Sequence, residues 1–358
     1  MKKIEWLNEH PIIREDIADI CADSGIPWDA LHNSTILVTG ATGLIGSLLV
    51  KSLVYRSLIS GARIKVMAAV RNLNKAHQIF QSQLKHEGEI LSFVNSDINT
   101  PIQLSEKIDY IVHTASITSS EDFVIKPVDT IMTTINGTRN ILELARIHQP
   151  RSVAFLSTME VYGKLEKERV TESDSGYLDP LSVRSSYPQS KRLAESLCVA
   201  YHSQYGVEAK IIRLTQTFGP GISPVENRVF AQFARAIQEE KDIVLHTKGG
   251  SRRDYLYTAD SVKGILTILL LGQSGQAYNL SNPESYASIL EFATMCKNIS
   301  GKINISFDCD EKAAQKYLNE TKITLDNSAI NHLNPFPRKS LRDSFTRLLQ
   351  TYLDNNTP

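Results

Sequence analysis

The chain has 358 residues, of which 42% are hydrophobic and 22% charged, a composition typical of globular proteins rather than disordered or fibrous ones. Its 39 Lys and Arg residues balance 39 Asp and Glu residues, and a net charge near zero argues against a broad surface for nucleic acid or anionic membranes. No apolar run approaches the roughly 20 residues that a membrane span needs. The polar residues 1–11 do not resemble a signal peptide, and four scattered cysteines indicate reduced thiols and no metal site. We therefore expect a cytoplasmic protein without nucleic-acid or membrane partners.

Residues 1–33 are predicted to form a helical appendage at the N-terminus. Four isoleucines fall at helical spacing, namely Ile12, Ile13, Ile17 and Ile20. The sequence Gly25-Ile26-Pro27 ends the predicted helix. We expect Trp6 and Trp28 to pack this appendage against the main body, and the sequence assigns it no function.

From residue 34 onward, short segments rich in Ile and Val alternate with helical patterns. The predicted strands are Thr35–Thr39, Ile64–Val70, Ile90–Val94, Tyr110–His113, Val153–Leu156 and Ala209–Leu214, and helices are predicted over Val128–Ile147 and from Tyr187. Such an alternation predicts an α/β fold, a doubly wound parallel sheet (Rossmann) over residues 34–214. The irregular pattern of residues 215–358 predicts a smaller substrate-binding cap, with some segments returning to the sheet domain and a helix over Lys339–Tyr352.

The segment Thr39–Gly46, TGATGLIG, lies between the first predicted strand and the first helix of the alternation. Glycines allow a sharp turn and a close approach to a pyrophosphate, and the helix N-terminus then offers free N–H groups to the phosphates. This context favours a dinucleotide site over a purely structural turn. The second strand ends at Arg71 without the carboxylate that binds the ribose of NAD, so the expected cofactor is NAD(P), with NADP favoured. A solvated arginine is the alternative.

Tyr187 and Lys191 lie four residues apart and therefore share one face of the predicted helix. A free phenol has a pKa of about 10, and a nearby cation lowers it. We expect Tyr187 to exchange a proton with a substrate hydroxyl while a nicotinamide exchanges the hydride. Thr158, at the end of the fifth strand, can bond the reacting oxygen, and Glu160 is a second possible acid or base. A simple turn cap is the alternative for Thr158.

The motifs TGATGLIG, STMEVYG and YPQSK together resemble the extended short-chain dehydrogenase/reductase family, in particular its nucleotide-sugar epimerases, dehydratases and decarboxylases. The resemblance implies a catalytic group of Thr158, Glu160, Tyr187 and Lys191. It implies cofactor contacts from Gly40, Thr42, Gly43, Leu44, Ile45, Gly46, Arg71, Asp97, Ile98, Thr114, Ala115, Ser116, Tyr187 and Lys191. It implies substrate contacts from Thr118, Gln216, Arg228 and Arg253, with a nucleotide-activated sugar as substrate. It also implies a homodimer formed through the helices near Val128–Ile147 and Tyr187–Tyr201.

The reaction remains open at this point. A redox-neutral epimerase or dehydratase would pass through a transient 4-keto sugar, an NADPH-dependent reductase would consume a keto sugar, and a UDP-glucuronate decarboxylase is the closest resemblance. Met159 stands where 4,6-dehydratases place an Asp, and a thioether cannot protonate a leaving hydroxyl. Lys322 stands where decarboxylases place an Arg, and Thr134 where the family places a cofactor-side Asn. A protein that only binds a dinucleotide is disfavoured because Thr158, Tyr187 and Lys191 are all present.

Overall fold

The computed structural model describes residues 9–223, 225–309 and 320–354, so Trp6 lies outside the described residues. The strands are β1 (Thr35–Thr39), β2 (Lys65–Val70), β3 (Leu91–Asn95), β4 (Tyr110–His113), β5 (Ser152–Thr158), β6 (Arg169–Val170), β7 (Ala209–Leu214), β8 (Gln216–Phe218), β9 (Ile243–Leu245), β10 (Arg252–Arg253), β11 (Tyr255–Tyr257), β12 (Ala277–Leu280), β13 (Ala287–Ser288), β14 (Ile305–Phe307) and β15 (Lys322–Leu325). The helices are α1 (Pro11–Ala22), α2 (Leu44–Ser60), α3 (Leu73–Ile79), α4 (Asp122–Ile125), α5 (Pro127–His148), α6 (Ser186–Tyr205), α7 (Val229–Gln238), α8 (Thr258–Leu271), α9 (Ile289–Ser300), Ser328–Leu333 and Leu341–Asp354.

Seven strands form one parallel sheet in the order β12-β7-β5-β4-β1-β2-β3. Six of the seven strands are buried along most of their length, as expected where helices cover both faces, and the edge strand β3 is mostly half-buried. The predicted doubly wound fold is confirmed, and the six predicted strands are its first six members in chain order. The strand order reverses between β1 and β4, and a ligand crevice opens at such a reversal, beyond the carboxyl ends of the strands.

Three long helices show how local sequence sets the boundaries of the elements. Helix α2 is apolar on nearly all sides and ends at Gly61, whose φ of +65° gives the left-handed cap that glycine accepts most easily. Helix α5 begins at Pro127, where a missing N–H costs nothing, and extends one residue beyond the predicted range at each end. Helix α6 ends at Gly206 in the same way as α2.

The N-terminal helix α1 packs against α2 and α8 and is part of the main hydrophobic core. Ile17 and Ile20 are buried there, and Trp28 is buried as predicted, with Arg56 stacked 4.9 Å from its ring centre. The buried carboxylate of Asp16 accepts hydrogen bonds from the Tyr257 hydroxyl at 2.6 Å and from Arg347 at 2.9 Å. These contacts tie the N-terminal segment to β11 and to the C-terminal helix Leu341–Asp354.

The later part of the chain divides its elements between two cores. Strand β12 forms the edge of the central sheet, and α8 packs against α2 beneath that sheet. A second core is built on stacked and edge-to-face aromatic rings, those of Phe218, Phe230, Phe233, Tyr255, Phe292 and Phe345. Within the described ranges, no helix is both long and apolar enough to cross a membrane, and no group of side chains suits a metal ion.

Candidate active site

The carboxyl ends of β1 and β4 are joined by side chains that hold the first turn of the glycine-rich segment. The Thr39 hydroxyl lies 2.7 Å from Nδ1 of His113, and the Thr114 hydroxyl donates to the Thr39 carbonyl oxygen at 2.7 Å. Complete burial, together with the positive charge of Lys191, lowers the pKa of His113 to about 3, so its ring is neutral. The chain therefore leaves β1 in a fixed direction.

Two glycines in this turn are required by its geometry. Gly40 has a φ of +64°, and a Cβ there would lie 2.6 Å from the Thr114 hydroxyl. A Cβ on Gly46 would overlap the Gly40 carbonyl oxygen. Helix α2 begins at Leu44 with Gly43 as its N-cap and no side-chain cap, so the N–H groups of its first turn are available to an anion. Together with the neighbouring Thr42 and Ile45, these residues fit the pyrophosphate of a dinucleotide.

The residues predicted for the adenosine side of the cofactor lie at the ends of β2 and β3. Arg71 is exposed and borders a cleft of about 560 Å³ that Asn99 also lines. The Asp97 carboxylate accepts hydrogen bonds from the Asn99 main chain and side chain at 2.9 and 3.0 Å. Ile98 is buried, and a Cβ on Gly137 of α5 would lie 2.9 Å from its side chain. Past β4, Ala115 and Ser116 are half-buried. The cofactor contacts of these residues remain predictions.

Thr158, Tyr187 and Lys191 come together at the carboxyl end of β5, and all three are buried. A side-chain hydrogen bond joins Tyr187 to Thr158. One turn further along α6, the Lys191 ammonium donates to the Leu156 carbonyl oxygen at 2.7 Å and lies 6.0 Å from the centre of the Tyr187 ring. The phenol, the hydroxyl and the ammonium thus form one group at the carboxyl end of β5, on the far side of β4 from β1 and the glycine-rich turn.

The electrostatics of this group correct the expectation from the sequence. Burial, reinforced by the Glu160 carboxylate, raises the pKa of Tyr187 above its ordinary value instead of lowering it. Its neighbours Thr158, Arg228 and Arg184 oppose this shift. Burial also lowers the pKa of Lys191 to about 8, against the opposing charge of Glu195. The spacing of four residues was informative about position, but the Lys191 ammonium points at the main chain of β5 and not at the phenol oxygen.

Glu160 lies on a single 3₁₀ turn, Met159–Tyr162, that continues from β5. The Thr158 hydroxyl accepts a hydrogen bond from the Glu160 main-chain N–H at 3.3 Å. Thr158 therefore caps this 3₁₀ turn and also bonds to Tyr187. The Glu160 carboxylate forms an ion pair with Arg184, with Oε2 3.0 Å from Nη1. The Met159 sulfur accepts a hydrogen bond from Thr215 and offers no proton of its own.

The four residues predicted to bind substrate are more widely spread. Arg228 pairs with Glu226 at 2.7 Å, and its charge acts on the phenol of Tyr187. It also borders a cleft of about 320 Å³ whose lining includes Ser119, Ser120, Glu121 and Ser223. Thr118 is exposed, Gln216 lies on β8 opposite Tyr255, and Arg253 lies on β10. The charge of Arg228 therefore acts on the phenol of Tyr187, while substrate contacts of Arg228, Thr118, Gln216 and Arg253 remain predictions.

A buried polar network behind Lys191 was not anticipated from the sequence. Arg213 of β7 donates to both carboxylate oxygens of Glu195, at 3.1 and 2.8 Å, and to the Tyr162 hydroxyl at 3.1 Å. Glu195 also accepts from the Ser157 hydroxyl at 2.5 Å. The available signal was that Glu195 follows Lys191 by four residues, the same spacing that relates Lys191 to Tyr187.

Comparison with known proteins finds relatives that align with most of this chain. The UDP-glucuronic acid decarboxylase 1 of Xenopus tropicalis is 31% identical over 269 residues, which cover 74% of this chain and 60% of that protein. The UDP-glucuronic acid decarboxylase 6 of Arabidopsis thaliana is 31% identical over 267 residues, covering 75% and 74%. This chain thus spans about three-fifths of the length of the vertebrate relative.

Solved structures show the same architecture. A UDP-glucuronic acid 4-epimerase from Bacillus cereus, solved in complex with NAD, superposes with a TM-score of 0.74 at 25% identity, covering 90% of this chain and 100% of that one. The dTDP-glucose 4,6-dehydratase DesIV from Streptomyces venezuelae, with a TM-score of 0.72 at 24% identity and coverage of 90% and 97%, shares the fold. The family model for the NAD dependent epimerase/dehydratase family matches residues 36–281. The chain belongs to the NAD-dependent epimerase/dehydratase family.

Proposed function

We propose that this protein oxidises a hydroxyl of a nucleotide-activated sugar to a transient 4-keto group, with Tyr187 as the base, and reduces it again after rearrangement. The observation that carries the proposal is the buried group of Thr158, Tyr187 and Lys191 at the carboxyl end of β5, on the far side of β4 from a turn shaped for a pyrophosphate. Bound NAD(P) would accept the hydride from the sugar and return it.

Each residue of the group has its own step. Tyr187 takes the hydroxyl proton while Thr158 bonds the same oxygen, and the cations Arg184 and Arg228 partly offset the rise in the pKa of Tyr187 that burial and Glu160 cause. Lys191, held by the Leu156 carbonyl oxygen, would grip the ribose hydroxyls of the cofactor. Once a keto group is present, the Glu160 carboxylate can remove a proton from the adjacent carbon, and the C–H electrons move to the carbonyl oxygen.

The test replaces the phenol and the ammonium separately. Tyr187→Phe and Lys191→Met should each lower turnover of a UDP-sugar by about 10²–10⁴-fold, the range for loss of a general acid or base. Tyr177→Phe is the matched control, since that tyrosine is 67% exposed. Circular dichroism and thermal melting would establish that each variant is folded. Turnover that survives in both site variants would refute the assignment.

Decarboxylation of a nucleotide uronate is the second candidate. Its support comes from relatives whose names state that they act on UDP-glucuronic acid. Lys322, which stands where decarboxylases carry an arginine, is exposed on β15. Incubation with UDP-glucuronic acid separates the reactions, because decarboxylation releases carbon dioxide, epimerisation conserves mass, and a keto-sugar reductase consumes one reduced cofactor for each product.

We propose NADP as the preferred cofactor on the basis of Arg71. Arg71 follows the last residue of β2, and its exposed guanidinium borders the 560 Å³ cleft. The planar N–H donors of a guanidinium suit the oxygens of a ribose phosphate. Arg71→Asp should shift the ratio of affinities toward NAD by at least about tenfold, as measured by calorimetric titration of both dinucleotides. An unchanged ratio would remove the argument for NADP.

We further propose a homodimer formed through α5 and α6. Both helices expose large apolar side chains, including Val128 at 68%, Leu193 at 52% and Val199 at 44%. Sedimentation analysis should give a dimer, and Leu193→Glu should weaken it. A cytoplasmic location remains a prediction from the sequence.

A further inference from the structure

Phe123 covers one face of the catalytic phenol. Its ring stacks on Tyr187 with a centroid distance of 4.2 Å and an angle of 5° between the planes. Phe123 lies on the short helix α4 and is only 2% exposed. The Ser186 hydroxyl, one residue before Tyr187, donates to the Phe123 carbonyl oxygen at 2.9 Å. Ring and main chain are therefore both fixed relative to α6.

Arg184 contacts this stack and also holds the second acid or base. Its guanidinium carbon lies 5.1 Å from the centre of the Phe123 ring, within the range of a cation–π contact. One of its nitrogens lies 3.0 Å from the Glu160 carboxylate. The side chains of Arg184 and Glu160 are 24% and 29% exposed, so this ion pair is partly accessible to solvent and does not belong to the core.

We propose that Arg184 is a positioning residue that acts through Phe123 and Glu160, holding the phenol and the carboxylate in one geometry so that proton removal by Glu160 follows oxidation at Tyr187. The inference deepens the proposed function and rests on it. Without the Arg184 guanidinium, the Glu160 carboxylate loses the partner that orients it. The Tyr187 phenol keeps its hydrogen bond to Thr158 and its position on α6. Oxidation should therefore persist while the following step slows.

The step assigned to Glu160 has a direct readout. Removal of the proton next to the keto group and its return from solvent place deuterium in the sugar when the reaction runs in deuterium oxide. With the nucleotide sugar that the wild-type protein turns over, Arg184→Gln should lower deuterium incorporation at least about tenfold and let reduced nicotinamide accumulate. Arg184→Lys, which keeps the charge but not the fork, should restore part of the rate. Arg169→Gln, which removes an exposed ion pair with Asp326, is the matched control.

The pH dependence gives a readout that a merely structural arginine would not change. The charged groups that act on the phenol are Glu160, which raises the pKa of Tyr187, and Arg228 and Arg184, which lower it, with the Lys191 ammonium 6.0 Å from the ring centre. Arg184→Gln should therefore move the limb of the rate profile that reports Tyr187 to higher pH. Phe123→Leu should slow oxidation at every pH without this shift, because it removes the stacking but no charge.

The outcomes separate this inference from the proposed function. If Arg184→Gln exchanges deuterium at the rate of Arg169→Gln while Tyr187→Phe is inactive, the coupling role of Arg184 is wrong and the proposed function stands. If Tyr187→Phe retains turnover, the proposed function itself fails. Should Arg184→Gln melt earlier than wild type, Arg184→Lys decides, because it keeps the charge and loses the fork: deuterium exchange at the wild-type rate in Arg184→Lys would overturn the inference.

Discussion

Replacing Arg213 by methionine tests how the charge of the active-site helix is stabilised. The Arg213 and Glu195 side chains are 14% and 10% exposed, and two nitrogens of the guanidinium donate to the carboxylate in parallel. The remaining nitrogen donates to the Tyr162 hydroxyl and to the Glu172 carbonyl oxygen at 2.8 Å. Methionine has a similar length and no charge. It would leave the Glu195 carboxylate buried with the Ser157 hydroxyl and the Lys191 ammonium nearby.

The expected cost follows from removing one partner of a buried ion pair. Such a change typically destabilises a protein by about 3–5 kcal/mol, because a buried charge is left uncompensated. With an unfolding entropy of about 2.1 cal/mol/K for each residue, a chain of this length has about 0.75 kcal/mol/K at its midpoint, so Tm should fall by about 4–7 °C. The double variant Arg213→Met with Glu195→Gln should recover much of this loss, since no unpaired carboxylate remains.

Calorimetry of the two single variants and the double variant measures this interaction directly. A conservative control is Arg213→Lys, which keeps the charge and loses the fork, and should fall between wild type and Arg213→Met. If Arg213→Met lowers the free energy of unfolding by less than about 1 kcal/mol, the ion pair is no stronger than an exposed one, and the reasoning from burial is refuted.

Two further predictions concern the glycine-rich turn and the pH dependence of stability. Gly46→Ala should weaken NAD(P) binding at least about tenfold in calorimetric titration, because its Cβ would overlap the Gly40 carbonyl oxygen. The control variant Gly61→Ala has nothing within 4 Å of its Cβ and should bind the dinucleotide normally. Equal affinities of the two variants would contradict the argument from overlap. Burial raises the pKa of Asp260 to about 6 from an ordinary value of 3.8. The Asp260 carboxyl therefore binds its proton more tightly in the folded state than in the unfolded state. Its contribution to the free energy of unfolding is complete below about pH 4 and is lost as the pH rises through about 6. Asp260→Asn should flatten that part of the Tm profile, and an unchanged slope would show that Asp260 is not its source.

The fold was predictable because its signals are local and repeated. The first strands of the central sheet are short, largely aliphatic runs, the long helices α2 and α6 end at glycines, and the glycine-rich turn joins β1 to α2. Strand β12 escaped prediction because the sheet order is set by packing across a long separation in sequence, and Ala277–Leu280 resembles many other short apolar segments. The integration of α1 into the main core was also not predicted, since the buried partners of Asp16 are Tyr257 and Arg347.

The proximity of Thr158, Tyr187 and Lys191 was predictable from the sequence, and their electrostatics were not. Spacing along a helix indicates which side chains share a face, so it could relate Tyr187 to Lys191. The direction of a pKa shift depends on burial and on neighbours from distant elements, and these made the phenol less acidic, contrary to the expectation. Phe123 gave no signal of its own, because its stacking on Tyr187 depends on the path of the segment between β4 and α5.

Three side chains on one face of α6 explain how the buried Lys191 side chain can remain charged. Tyr187, Lys191 and Glu195 follow one another at intervals of four residues, so phenol, ammonium and carboxylate lie in one row. Burial alone would drive Lys191 toward its neutral form, and the negative charge of Glu195 opposes that shift, leaving its pKa at about 8. Arg213 of β7 forms an ion pair with this carboxylate, with Nη2 2.8 Å from Oε2. Arg213 is thus linked to Lys191 through Glu195, and a loss of Arg213 should alter catalysis as well as stability.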